Sequence, residues 1–169
     1  MEQNRELEIK NKANALIKEM ACQNAFPAPV EKIVKHLGYK IFKFSPGEQT
    51  SDISGAVDHH KKAIYINNKN NIRRQFFTIA HEIGHIILHG KDENFVDYRR
   101  DINMGSTDEK ELETNYFAAN LLMPENAFCE KWEEYEEFDN NTKITLLSYY
   151  FGASDLATRV RANHLDLLH

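Results

Sequence analysis

FFTIAHEIGHIILHG, residues 76–90, decides how the rest of the chain is read. Asn70 or Asn71 can cap a helix that runs through Gln75, Phe76, Ile79, Ile83 and Ile87 and ends at Gly90, because the apolar residues recur at helical spacing between a capping side chain and a glycine. On that helix His81 and His85 lie four residues apart, on one face and one turn from each other, so both imidazoles can reach the same ion. Zinc accepts neutral imidazole nitrogen in a tetrahedral shell. Glu82 stands beside this face, placed to take a proton from an activated water without ligating the metal, the division of labour of H-E-x-x-H peptidases. Two histidines and a glutamate on a helix this apolar would be costly unless paired or metal-bound.

Upstream, residues 4–22 read as an amphipathic helix carrying Leu7, Ala13, Leu16, Ile17 and Met20, and 30–37 as a second helix after the Pro27/Pro29 break. Strands follow at 39–44, 52–57 and 63–66, the last two joined as a hairpin through 58–62. Downstream, 91–107 is polar and reads as a long loop, 107–123 as a helix stopped by Pro124, and 127 to the end as short helices. Helices, a small sheet, then helices make an α+β fold, a small antiparallel or mixed sheet packed on helices that include the HEIGH helix. The expected division is 1–126 for the catalytic part and 127–169 for a helical C-terminal part.

A catalytic zinc site needs a third protein ligand. His89 continues the i, i+4 series but lies ~12 Å along a straight axis from His81, too far for one ion, and fits better as a helix C-terminal side chain. The carboxylates on the next helix are better placed, since a helix holds a ligand more rigidly than a loop. Glu113 heads the stripe Glu113, Phe117, Leu121, and spacing favours it; Glu111, on the face of Asn115, Ala118 and Leu122, is not excluded.

FTIAHEIGHIILH at 77–89, followed by ELETNYFAANLLMP at 111–124, resembles the ImmA/IrrE family of zinc metallopeptidases, with H-E-[LI]-G-H-x-x-L-H and then E-x-E-A-N-x-F-A-x-x-L-L-M-P. The likeness runs over roughly 25–125, and Thr114 stands where the family usually has alanine. It implies a zincin-like fold, one zinc per chain held by His81, His85 and Glu113, and Glu82 as general base acting on zinc-activated water. It also implies the occupation of many such proteins in bacteria and mobile elements: cleaving a helix-turn-helix repressor or antitoxin. Donors near the motif that could stabilise the oxyanion or contact substrate are His59, His60, Tyr98 and Tyr116; the histidines also read as hairpin surface and the tyrosines as packing. In peptidases of this build substrate often adds as a strand at the sheet edge, which draws attention to the strand at 63–66.

Composition narrows the setting. The chain has 169 residues, 41% hydrophobic and 28% charged, which fits one globular unit rather than a disordered or fibrous protein. Its two cysteines make neither a disulfide framework nor a Cys-rich zinc site, and the net charge of −5 argues against a protein that coats DNA. The charged opening lacks the apolar core of a signal peptide, and no run approaches a membrane span, so the expectation is a cytoplasmic protein without a membrane partner. Residues 108–139 carry a balance of −9, which reads as a solvated face or, beside a cleft, as an attraction for a basic repressor. The tail around Phe151-Gly152-Ala153-Ser154 has a helix-turn-helix look, but residues 141–169 carry only +1, little for phosphate contacts. Two rivals to the protease therefore stand: a module that binds a repressor without cleaving it, and a DNA-binding regulator with a structural zinc.

Overall fold

A computed structural model describes residues 2–90, 96–100 and 108–168. Helix α1 (Gln3–Glu19) and the short α2 (Val30–His36) lead into strand β1 (Lys40–Phe44). Strands β2 (Ile53–Asp58) and β3 (Ala63–Asn67) form the expected hairpin, and α3 (Ile72–His89) carries the HEIGH motif. Strand β4 (Val96–Arg100) is followed by α4 (Glu109–Leu122), α5 (Glu125–Glu134), α6 (Asn140–Phe151) and α7 (Asp155–His164). The architecture is α+β, as the element order predicts.

Side-chain caps form at several described helix starts. Asn71 caps α3 by accepting from the Arg74 backbone N–H, Asp108 caps α4 through Lys110, and Ser154 caps α7 through Ala157. The α6–α7 turn passes through Gly152 at φ +66°, a left-handed conformation that suits glycine, and a β-carbon there would also lie 2.9 Å from Pro27.

The sheet runs in the order β1-β3-β2-β4. β1 pairs in parallel with β3 (Ile41 opposite Ile64), while β2 is antiparallel to β3 (Val57 opposite Ile64) and to β4 (Ala56 opposite Tyr98). Two expectations are corrected here. Part of the span read as a loop, 96–100, is a strand; the rest of 91–107 lies outside the described residues. And β3, the strand singled out as a place for substrate to add, is hydrogen-bonded on both sides, so its backbone has no edge to offer. Among the described strands the edges are β1 and β4.

One face of the sheet meets α3 through Val57, Ile64 and Ile66, all buried. On the other face Phe42 stacks on Tyr65, with ring centroids 5.7 Å apart. The core continues without interruption into the C-terminal helices: Phe128, Trp132, Ile144, Leu147 and Phe151 belong to the same cluster as Ile83, Phe117 and Leu121. The 126/127 division drawn from the sequence falls inside α5. Phe26, from the loop before α2, sits edge-on to Phe151 at 4.9 Å and ties the N-terminal part to α6.

Candidate metal centre

The middle of α3, from Thr78 to His85, is buried without a break. β2 crosses it so closely at Gly55 that a β-carbon there would meet Thr78 Cγ2 at 2.4 Å and Glu82 Oε1 at 3.1 Å. Glu82 is thus held under the sheet, fully removed from solvent, with its carboxylate against β2. A second close approach sets α4 on the other side. A β-carbon on Gly84 would lie 2.8 Å from Thr114 Cγ2, 3.2 Å from Phe117 Cδ1 and 3.3 Å from the Thr114 carbonyl oxygen. The glycine inside HEIGH is therefore a spacing device between the two helices, and Thr114, where the resembled family has alanine, fills the space it leaves. Gly84→Ala is expected to force α3 and α4 apart and destabilise the fold by about 1–3 kcal/mol, as overpacking does. Denaturant unfolding measures it, and adding Thr114→Ala should restore part of the loss.

This packing brings three donors together. His81 Nε2 and His85 Nε2 face each other at 3.0 Å. The carboxylate of Glu111, reaching across from the first turn of α4, lies 3.3 Å from His81 Nε2 and 3.1 Å from His85 Nε2. Bonds of about 2.0–2.1 Å around a tetrahedral zinc imply ligand–ligand edges of roughly 3.3–3.4 Å; with Glu111 Oε2 nearest His81 and Oε1 nearest His85, the three side chains lie within reach of one such ion. Asn115 adds to the fit. Its Oδ1 lies 3.0 Å from His81 Nδ1 and accepts the Nδ1 proton, which leaves the Nε2 lone pair directed to the cluster. Burial pushes the Glu111 carboxyl up, but the His81 and His85 imidazoles beside it outweigh that and hold the group well below the usual carboxylate range. It is an anion at neutral pH, as a ligand must be. The donor set, two imidazole nitrogens and a carboxylate, fits zinc.

Glu113, the glutamate favoured from spacing and from the family resemblance, is not in this group. It does head the buried stripe with Phe117 and Leu121, but that stripe turns its N-terminal end toward α1. There Arg5 grips both carboxylate oxygens, Nε to Oε1 and Nη2 to Oε2, each at 2.6 Å. His89 Nε2 stands 3.6 Å from the same carboxylate. The Arg5 guanidinium holds the Glu113 carboxyl below its ordinary range, while burial and the neighbouring His85 push the His89 imidazole down. The physical reason for this separation is angular. Residues two apart on a helix point ~200° apart, so Glu111 and Glu113 cannot both turn to His81 and His85; the face that meets His81 is the one carrying Glu111 and Asn115, while Glu113 meets Arg5 of α1 and His89 at the far end of α3.

The four residues offered as oxyanion or substrate contacts belong to three parts of the fold: the β2–β3 turn, β4 and α4. His59 is buried at the β2–β3 turn with Nδ1 3.0 Å from the Tyr39 hydroxyl, and His60 is exposed on the same turn. Tyr116 packs edge-on against His164, ring centroids 5.2 Å apart, on the side of α4 that faces α7. Tyr98 lies on β4, opposite Ala56. Neither His59, His60 nor Tyr116 is among the donors that converge with His81 and His85.

Residues 34–163 match the profile of the IrrE N-terminal-like domain, peptidase M78. The chain belongs to that family. It is 42% identical over 83 residues to the radiation response metalloprotease IrrE of Deinococcus radiodurans, a match covering 48% of this chain and 25% of that protein. The IrrE of Deinococcus deserti is 42% identical over 72 residues, covering 41% of this chain and 25% of its own. An uncharacterized immunity region protein 2 of Bacillus phage phi105 is 34% identical over 68 residues, 40% of this chain and 42% of the phage protein. The chain thus spans about a quarter of the length of the two Deinococcus relatives. The peptidase M78 match leaves out α1, so Arg5 lies beyond it while Glu111, Glu113 and the HEIGH helix lie within it.

Proposed function

We propose that this peptidase M78 chain is a zinc-dependent endopeptidase acting on one specific regulatory protein, a helix-turn-helix repressor or antitoxin. The observation that carries the reading is the convergence of His81, His85 and Glu111 on one point beside Glu82. One zinc per chain, held by these three, would supply Lewis acidity toward a scissile carbonyl and an activated water. Glu82 is the general base: it takes the proton of the attacking water and returns one to the leaving amine. Asn115 keeps His81 in the tautomer that can ligate. β2, packed over Glu82 at Gly55, forms one wall of the site and keeps bulk water from the base.

Two features support a protein substrate in regulation. One relative carries the name of a phage immunity-region protein. And Glu130, Glu133, Glu134, Glu136, Glu137 and Asp139 are exposed along α5 and the turn after it, an acidic surface that suits a basic, DNA-binding partner. The tail's own basic residues serve the fold instead of phosphates. Arg161 is buried and donates to the Met123 carbonyl and Asn120 Oδ1, Arg159 donates to Asn141, and Lys143 lies over the Trp132 ring. No described helix is long and apolar enough to cross a membrane.

The test is metal content together with cleavage. Elemental mass spectrometry of the purified protein should give one zinc per chain, and the protein should cut a helix-turn-helix repressor encoded beside it in a reaction that a chelator stops and added zinc restores. Protein that holds no zinc under zinc-replete conditions rules the proposal out.

A further inference from the structure

We infer that α1, which lies outside the family match, is part of the scaffold of the metal centre, with Arg5 as a positioning residue for Glu111. The inference rests on the reading of Glu111 as the third ligand. Its basis is a single carboxylate shared by three helices. Glu113 on α4 is gripped at both oxygens by Arg5 from the first turn of α1 and approached on one of them by His89 from the last turn of α3. The carboxylate is almost wholly buried, its side chain only 9% exposed. A planar guanidinium bound to both oxygens fixes direction as well as distance, which a lysine ammonium cannot do.

The position of this clamp gives it a function. α4 begins at Glu109, so Glu111 stands in the first turn of its helix, where backbone opening costs least. Glu113 is two residues further on. Holding it to α1 prevents the opening turn from unwinding or rotating, and so keeps Glu111 over His81 and His85. Among the described links there, the Asp108 cap and the Thr114 hydroxyl, which donates to the Lys110 carbonyl at 2.7 Å, are internal to α4, while Asn115 on His81 and Thr114 against Gly84 join α4 to α3 one turn further on; the Arg5 fork is what ties the opening turn to α1. Removing Arg5 strands a buried carboxylate, which must turn outward to reach water and takes the turn with it.

The experiment uses the full chain and two readouts: amide hydrogen exchange of residues 109–115 in the metal-free protein, and zinc affinity by chelator competition. Arg5→Met is expected to speed exchange in that turn at least tenfold, with α6 unchanged, and to weaken zinc binding ~10- to 100-fold, the range for outer partners of metal ligands. Arg5→Lys should fall between wild type and Arg5→Met. Adding Glu113→Gln to Arg5→Met, which removes the stranded charge, should recover part of the affinity. Should Arg5→Met fail to fold, the Arg5→Lys and double variants carry the comparison. Zinc affinity within twofold of wild type in these Arg5 variants overturns the inference, whatever the exchange rates, and leaves the metal site standing. Wild-type protein that binds no zinc instead overturns the metal site, and the role of Arg5 with it.

Discussion

Glu111→Gln is expected to cost the protein its zinc, and Glu113→Gln is not. Glu111 supplies one of three converging donors, at 3.1 and 3.3 Å from the two histidine nitrogens, so its loss leaves a two-histidine site. Outer-shell partners of metal ligands are worth 10- to 100-fold in affinity, and losing a direct ligand should exceed ~100-fold. Glu113→Gln weakens the fork to Arg5 but keeps an amide oxygen for it and strands no buried carboxylate, so the loss should stay at ~10-fold, the lower end of that range. The order reverses for stability of the metal-free protein. Breaking charge-assisted hydrogen bonds to a buried carboxylate costs about 1.5–3 kcal/mol, so Glu113→Gln should unfold at lower denaturant than wild type. The sign with pH follows from the depressed carboxyl: the fork stabilises above the ordinary glutamate range, and the difference between wild type and Glu113→Gln should fade as pH falls below ~4. Equal zinc loss in the two variants would return Glu113 to the ligand set.

The second large effect is on turnover alone. Glu82→Gln should leave zinc content near wild type, since Glu82 is not one of the converging donors, while cleavage of a repressor substrate falls roughly 10³-fold, within the span for removing a positioned general base. The amide is nearly isosteric with the carboxylate, so the tight contact beneath Gly55 should survive. Substrate binding, read by pull-down, should persist. This variant separates cutting from sequestration: relief of repression that continues undiminished in Glu82→Gln would falsify the protease mechanism and favour the non-cleaving module.

Much of the architecture could be read from neighbouring residues because it depends on them. The caps at Asn71 and Ser154, the stop at Pro124 and the hairpin between β2 and β3 are local matters of hydrogen-bond donors, ring closure and alternation. β4 was not legible: VDYRR, residues 96–100, is short, three of its five residues are charged, and it pairs with β2 across some forty residues of chain. The parallel pairing of β1 with β3, which buries β3 inside the sheet, likewise depends on a crossover and not on the composition of either strand.

By itself the sequence determined the HEIGH helix, the placing of His81 and His85 on one face, and Glu82 beside them, because a spacing of four on a helix is geometry that no tertiary contact has to supply. It also determined that Glu113 would be buried, through its stripe with Phe117 and Leu121. Only the tertiary structure decided what that burial meant. Helical period says which residues share a face, but not which neighbour the face will meet. Arg5, more than a hundred residues away, neutralises Glu113, and the crossing of α4 over Gly84 turns Glu111 to the histidines.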